Sequence, residues 1–178
     1  MKNLTRIAVL LIAAGLLTSC TSARQLAMCP SVGILAEASS LTAFAPGKAE
    51  TADNQLYRID ATRATTDCSV EERTRLVTSS LEITFQAARP NGGAAAQFTV
   101  PYFVSVTAPG GRILTKKLFS APLNFAAGQT SVSFQQSIDS TVIKIDNDKH
   151  AYDYQILTGF QLTKAQLDFN RKFNRFAQ

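Results

Sequence analysis

Residues able to do chemistry are sparse in this 178-residue chain, which has one histidine, three cysteines and thirteen carboxylates. His150 stands beside an acidic turn made of Asp146, Asn147 and Asp148. A hydrolytic triad would need a nucleophile, this imidazole as its base and a carboxylate to orient the ring. Serines and aspartates are present, but no segment reads as a nucleophile elbow, so His150 is read as an exposed loop histidine. The Asp146–Asp148 stretch could open a calcium loop. Such a loop needs oxygen ligands at alternating positions, a glycine and a closing glutamate. Only the first fragment is present, and the stretch reads as a turn. Glu71, Glu72, Arg73 and Arg75 form a charge cluster that reads as a solvated loop. Tyr57, Tyr102, Tyr152 and Tyr154 could line a small-ligand or glycan site, although tyrosines are also ordinary strand residues. Cys29 and Cys68 lack the three or four grouped ligands of a zinc site. They are either a disulfide or two buried thiols. No catalytic, cofactor-binding or metal-binding residue is assigned, and the chain is not read as an enzyme.

The remaining cysteine, Cys20, has a different setting. Lys2 and Arg6 precede an apolar run, Ile7 to Leu17. A membrane-spanning helix needs about twenty apolar residues, so the run is too short to span and suits the core of a signal peptide. It ends in Leu17-Thr18-Ser19-Cys20, which resembles the lipobox of bacterial lipoproteins. That resemblance implies a signal peptide over residues 1–19, a diacylglycerol on the Cys20 thiol, cleavage before Cys20, and a fatty acid of the palmitate type on the new amine. Several acyl chains on one residue make a near-permanent anchor. Thr21 stands where enteric lipoproteins retained in the inner membrane carry aspartate, which favours the outer membrane, facing the periplasm. The periplasm is oxidising, so a disulfide is the simpler expectation for Cys29 and Cys68. It would close a loop of about forty residues and contribute a few kcal/mol. The acylated tether, residues 20–28, spans at most about 28 Å.

The signal carries two of the eighteen basic residues and none of the thirteen acidic ones, so the formal charge of +5 falls to +3 after cleavage. No basic cluster accompanies that small excess, which argues against nucleic acid as a partner. The length remaining suits one domain, residues 29–178, with a core of its own.

Patterning along that domain is mainly of period two. Ser31 to Phe44 is either a short helix or an extended segment with a turn, and Ala45-Pro46-Gly47 turns the chain. Strands are expected at Leu56–Thr66, Leu76–Ala88, Gln97–Thr107, Ile113–Phe125, Thr130–Ile138, Val142–Ile145 and Tyr152–Phe160. The clearest alternates Leu81, Ile83, Phe85 and Ala87 with Glu82, Thr84 and Gln86, the mark of one buried face. Pro101 and Pro122 point to edge positions or bulges, because proline cannot donate to a ladder. About seven strands with regular turns and no βαβ rhythm predict an all-β fold, an immunoglobulin- or fibronectin-like antiparallel sandwich. A C-terminal helix is expected over 163–177, opened by a capping box of Thr163 and Gln166. Leu162, Ala165, Phe169, Phe173 and Phe176 lie on one side, with Lys164, Arg171 and Arg175 nearly opposite. This helix either packs on the sandwich or lies on a membrane or partner.

Four stretches together resemble a family of alphaproteobacterial envelope lipoproteins of uncharacterised function. They are the block Cys29 to Gly47, the surroundings of Cys68, the strand from Pro101, and the block Gly159 to Arg171. The resemblance implies an envelope location and a small β-rich domain, and brings no activity, substrate or cofactor. The expected role is a non-catalytic interaction or structural module with an envelope protein as partner, the alternative being a small-ligand or glycan-binding periplasmic module. Gly159, Gln161, Thr163, Arg171 and Arg175 are the candidate interaction surface.

Overall fold

A computed structural model describes residues 28–173. The expected signal peptide, Cys20 and most of the expected tether lie outside the described residues, as do Arg175, Phe176 and the end of the expected helix. The chain forms an all-β sandwich of two four-stranded sheets with one α-helix after the last strand. The strands are β1 (Ser31–Ile34), β2 (Ser40–Phe44), β3 (Gln55–Glu71), β4 (Leu76–Ala88), β5 (Ala96–Thr107), β6 (Ile113–Phe125), β7 (Ser131–Lys144) and β8 (Gln155–Phe160). The helix α1 spans Lys164–Phe173. One sheet has the order β1-β8-β5-β6 and the other β2-β3-β4-β7. All pairings are antiparallel except that of β1 with β8. Long hairpins, β3–β4 and β5–β6, each stay within one sheet, so the two-layer architecture comes with a connectivity of its own.

Alternation decides which residues enter the core. In β4, Val77, Leu81, Ile83, Phe85 and Ala87 are buried while Glu82 and Gln86 are exposed. Tyr57, Ile59 and Ala61 do the same in β3, and Val100, Tyr102, Val104 and Val106 face them from β5. Phe85 ties the layers together: its ring centroid lies 5.6 Å from Tyr102, 5.5 Å from Phe160 and 5.4 Å from Phe134. Aromatic pairs at such separations add to the area they bury.

The segment 31–44 is extended. It runs as β1 in one sheet, crosses through a 3-10 turn at Ala36–Ala38, and enters the other sheet as β2. The expected strands at 130–138 and 142–145 are one strand, β7, interrupted where Ser140 takes φ 59° and the register with β4 shifts. β3 runs on to Glu71, which places Cys68 inside a strand. The last strand is shorter than expected, because 151–153 form a 3-10 turn.

Pro101 corrects the proline expectation. It lies in β5, which is paired on both sides, and not on an edge. Its carbonyl accepts the Gln161 N–H at 2.9 Å, one residue beyond the end of β8. The side of β5 that would need a proline N–H therefore faces the place where its neighbour stops. Pro122 does lie on an outer strand, β6, opposite Thr99.

Cys29 and Cys68 form a disulfide, with Cα atoms 5.7 Å apart. It joins the lead into β1 to β3 of the opposite sheet, and so staples the two layers at one end of the sandwich.

Candidate functional site

The stapled end gathers residues that are scattered in the sequence. β3 and β7 end there, β4 and β8 begin there, and Met28 enters there. The sharp turn between β3 and β4 places Arg75 at φ 54°, a left-handed conformation that non-glycine residues rarely hold. Its guanidinium explains the conformation. It donates to the carbonyls of Ile145 at 3.3 Å, Asp146, and Lys149 at 2.7 Å, while the Arg75 carbonyl accepts from the Ile145 N–H at 2.9 Å. One arginine thus pins the β3–β4 turn to the connection between β7 and β8. Charge alone marked Arg75 in the sequence as part of a solvated cluster, and its contact over seventy positions was not legible there.

The acidic residues nearby are held by protein partners. The Tyr154 hydroxyl donates to Asp146 Oδ2 at 3.0 Å and accepts from the Asp146 N–H at 3.0 Å. Asp153 accepts from the His150 N–H at 2.8 Å. Asp148 pairs with Lys149 at 2.8 Å; this contact lowers the carboxyl pKa and raises that of the amine, chiefly through the side-chain hydrogen bond. Among the described residues, no group of three or more His, Cys, Asp or Glu could hold a metal ion. The His150 ring stacks on Tyr152, with centroids 4.9 Å apart and planes at 17°. Both rings line a shallow cleft of about 330 Å³, with Met28, Val70, Arg75 and Ile145 on its other walls.

The tyrosines separate into two groups. Tyr57, Tyr102 and Tyr154 are core residues, and burial pushes the phenols of Tyr57 and Tyr102 above their ordinary pKa. Tyr152 alone of the four is exposed, at 53%. Three rings of the conceived ligand site are therefore spent on packing.

The block from Gly159 to Arg171 forms a docking joint for the helix. Gly159 is closed over by the crossover turn: a Cβ there would lie 2.8 Å from the Ala38 Cβ. Gln161 accepts from Lys116 Nζ at 2.9 Å. Thr163 and Gln166 make the expected capping box, the Gln166 N–H donating to Thr163 Oγ1 at 3.2 Å and the Thr163 N–H to Gln166 Oε1 at 2.9 Å. Arg171 grips Glu37 at 2.7 Å, which lowers the Glu37 pKa, chiefly by that hydrogen bond. Phe169 meets Phe44 edge-on at 5.2 Å. The described part of the helix thus packs on β2 and the crossover.

Its docking face is rotated from the expected stripe. Ala165 is exposed and Phe173 half-exposed, whereas Asn170 is buried. Asn170 donates to the carbonyls of Glu37 at 3.2 Å and Ser40 at 2.8 Å, satisfying backbone acceptors where the chain changes sheets. A helical asparagine reads as polar surface in sequence, so this position was missed. Ser40 also donates to Asp60, whose carboxylate receives Arg58 at 2.8 Å. This network braces β2 against β3; its serine contacts no imidazole.

The outer edge of β6 is the other notable surface. Within the described residues β6 pairs with β5 alone. Pro101 directs its carbonyl towards β8, and polar groups alternate along an antiparallel ladder. Lys116, Leu118 and Ser120, opposite Ser105, Phe103 and Pro101, therefore turn their amides and carbonyls outward. Leu118 is 65% exposed. Among the described residues no helix is long and apolar enough to cross a membrane. No family model, curated protein or solved structure matches the chain.

Proposed function

We propose that the chain is a lipoprotein of the bacterial envelope, anchored through acylated Cys20 in the outer membrane and facing the periplasm. Its sandwich is a non-catalytic module that binds an extended segment of another envelope protein along β6. The lipobox and the family resemblance support the location. The open edge of β6 carries the binding reading: three consecutive outward-facing backbone positions, with Leu118 exposed among them, form a template for an added strand. Edge strands left in this state are usually blunted by charge or proline. Lys116 and Lys117 supply charge and Pro122 closes one end, which limits pairing to the stretch before it.

The test places a photo-crosslinking residue at position 118 of the intact chain in cells, with position 91, in the turn between β4 and β5, as control. The expected result is one partner captured at 118, not at 91, and lost when Ser120→Pro removes an outward amide. Capture of the same abundant neighbours at both positions, equally with a Cys20→Ala form, overturns the proposal.

A further inference from the structure

The stapled end of the sandwich has an unusual surface. Met28 is 45% exposed, Tyr152 53%, Ile113 62% and Leu114 40%. Met28 and Tyr152 share the cleft beside Arg75. Ile113 and Leu114 follow the β5–β6 turn at the same end, since Thr107 pairs with both Gln155 and Ile113. Towards the opposite end the exposed large apolar side chains among the described residues are Leu56 and Phe173, the latter beside Phe169 and Phe44.

Charge at the stapled end is balanced. Among the described residues of this end, Arg73, Arg75, Arg112, Lys144 and Lys149 accompany Glu71, Glu72, Asp146, Asp148 and Asp153, five of each sign. Several of these charges are already paired or bonded to backbone within the end itself. The surface therefore offers apolar and aromatic groups without a net field.

Chain length identifies what meets this surface. Met28 lies eight residues after Cys20, and eight residues reach at most about 28 Å. β4 has thirteen residues and is about 44 Å long. A domain tethered through Met28 cannot turn its far end to the bilayer, because the tether is shorter than the strands. An inverted domain is therefore excluded, and the stapled end or a flank beside it meets the lipid.

We propose that this end docks on the bilayer, with Tyr152, Met28, Ile113 and Leu114 entering the interfacial layer. This rests on the lipid anchor of the preceding section. Tyrosine suits that layer, where its ring is shielded and its hydroxyl stays hydrated. Docking is driven by these apolar groups and needs no anionic lipid, since the described residues of the end carry no net charge. The disulfide and Arg75 fix the segments of Met28 and Tyr152 to one another, and strand pairing places Ile113 and Leu114 at the same end.

The chain contains no tryptophan, so single reporters can be introduced. Tyr152→Trp, Ile113→Trp and, at the far end, Leu56→Trp are made in the full acylated protein and reconstituted in vesicles with brominated lipid. Expected quenching is about twofold or more for the first two variants, from burial in the interface, and negligible for the third. It is the same in zwitterionic and anionic vesicles. Protein that floats with the vesicles but shows no quenching at 152 and 113, or equal quenching at all three positions, overturns the docking inference while leaving the anchor intact. Quenching that appears only with anionic lipid overturns its apolar basis. Protein that carries no lipid and does not float overturns the anchor itself. The Ile113→Trp variant keeps the test decisive if substitution at 152 disturbs its stack with His150.

Discussion

Removing the Cys29–Cys68 bridge has a calculable effect. The bridge joins positions separated by 39 residues and links the entry of β1 to β3 across the two layers. In the chain-entropy treatment, a loop of that length restricts the unfolded ensemble by about 4 kcal/mol at 25 °C. The folded state should survive the loss, because β1 keeps its own support. It pairs with β8 over four residues, Ser31 donates to the Tyr154 carbonyl at 3.1 Å, and Leu35 to the Thr158 carbonyl at 2.9 Å. The experiment compares Cys29→Ala/Cys68→Ala with the bridged chain, both in a Cys20→Ala background so that neither a lipid nor a third thiol intervenes. Urea unfolding should give a stability lower by about 4 kcal/mol and a steeper slope, since the unbridged unfolded chain exposes more surface. For a domain of this size the melting temperature should fall by about 8–16 °C. A loss below about 1 kcal/mol with an unchanged slope would refute the reasoning, because the bridge would then not be restricting the unfolded chain.

Three further outcomes are expected. Gly159→Ala pushes a methyl to 2.8 Å from the Ala38 Cβ and 3.1 Å from its carbonyl oxygen and should destabilise by about 1–3 kcal/mol, as overpacking does; adding Ala38→Gly removes only the first contact and should restore part of the loss in the same denaturation assay. Asn170→Ala strips donors from the buried carbonyls of Glu37 and Ser40 and should destabilise by about 1–3 kcal/mol, with faster amide exchange in α1 than in β4. Contact with Arg171 lowers the pKa of Glu37 in the folded protein below its ordinary 4.5. Its contribution is therefore present above that value and lost as pH falls through the lowered one. Glu37→Gln should leave the exchange of α1 amides with no such step below pH 4.5, and an identical acid profile in both proteins would reject the link.

Several parts of this protein were legible from residue order alone. The alternation at Leu81, Ile83, Phe85 and Ala87 assigns a strand with one buried face, because side-chain direction along a strand has a period of two. The Thr163–Gln166 cap is equally local, its donors and acceptors being three residues apart. Segment 31–44 was ambiguous. Its apolar spacing suits a helix or a strand, and pairing of β1 with β8, more than a hundred residues away, decides between them. Pro101 was misread for a related reason. Proline's missing donor matters only where a neighbour would receive it, and the length of β8 determines whether one is there.

The surfaces divide in the same way. The resemblance to a lipobox and the short reach of the proposed tether can be read from consecutive residues, since a processing signal is recognised as an extended string and chain reach depends only on residue number. Which end of the domain would meet lipid under the proposed anchor is a property of the folded chain alone. Met28, Tyr152, Ile113 and Leu114 come from three separate segments, and each by itself is an unremarkable apolar residue. Strand pairing brings their segments to one end, the Cys29–Cys68 bridge and Arg75 lock two of those segments together, and the same pairing leaves β6 with an open edge. Local pattern therefore determined most of the elements and the expectation of an anchor. Tertiary structure decided the faces, because a face is made of contacts between distant segments, and the energies of those contacts are written in no one segment.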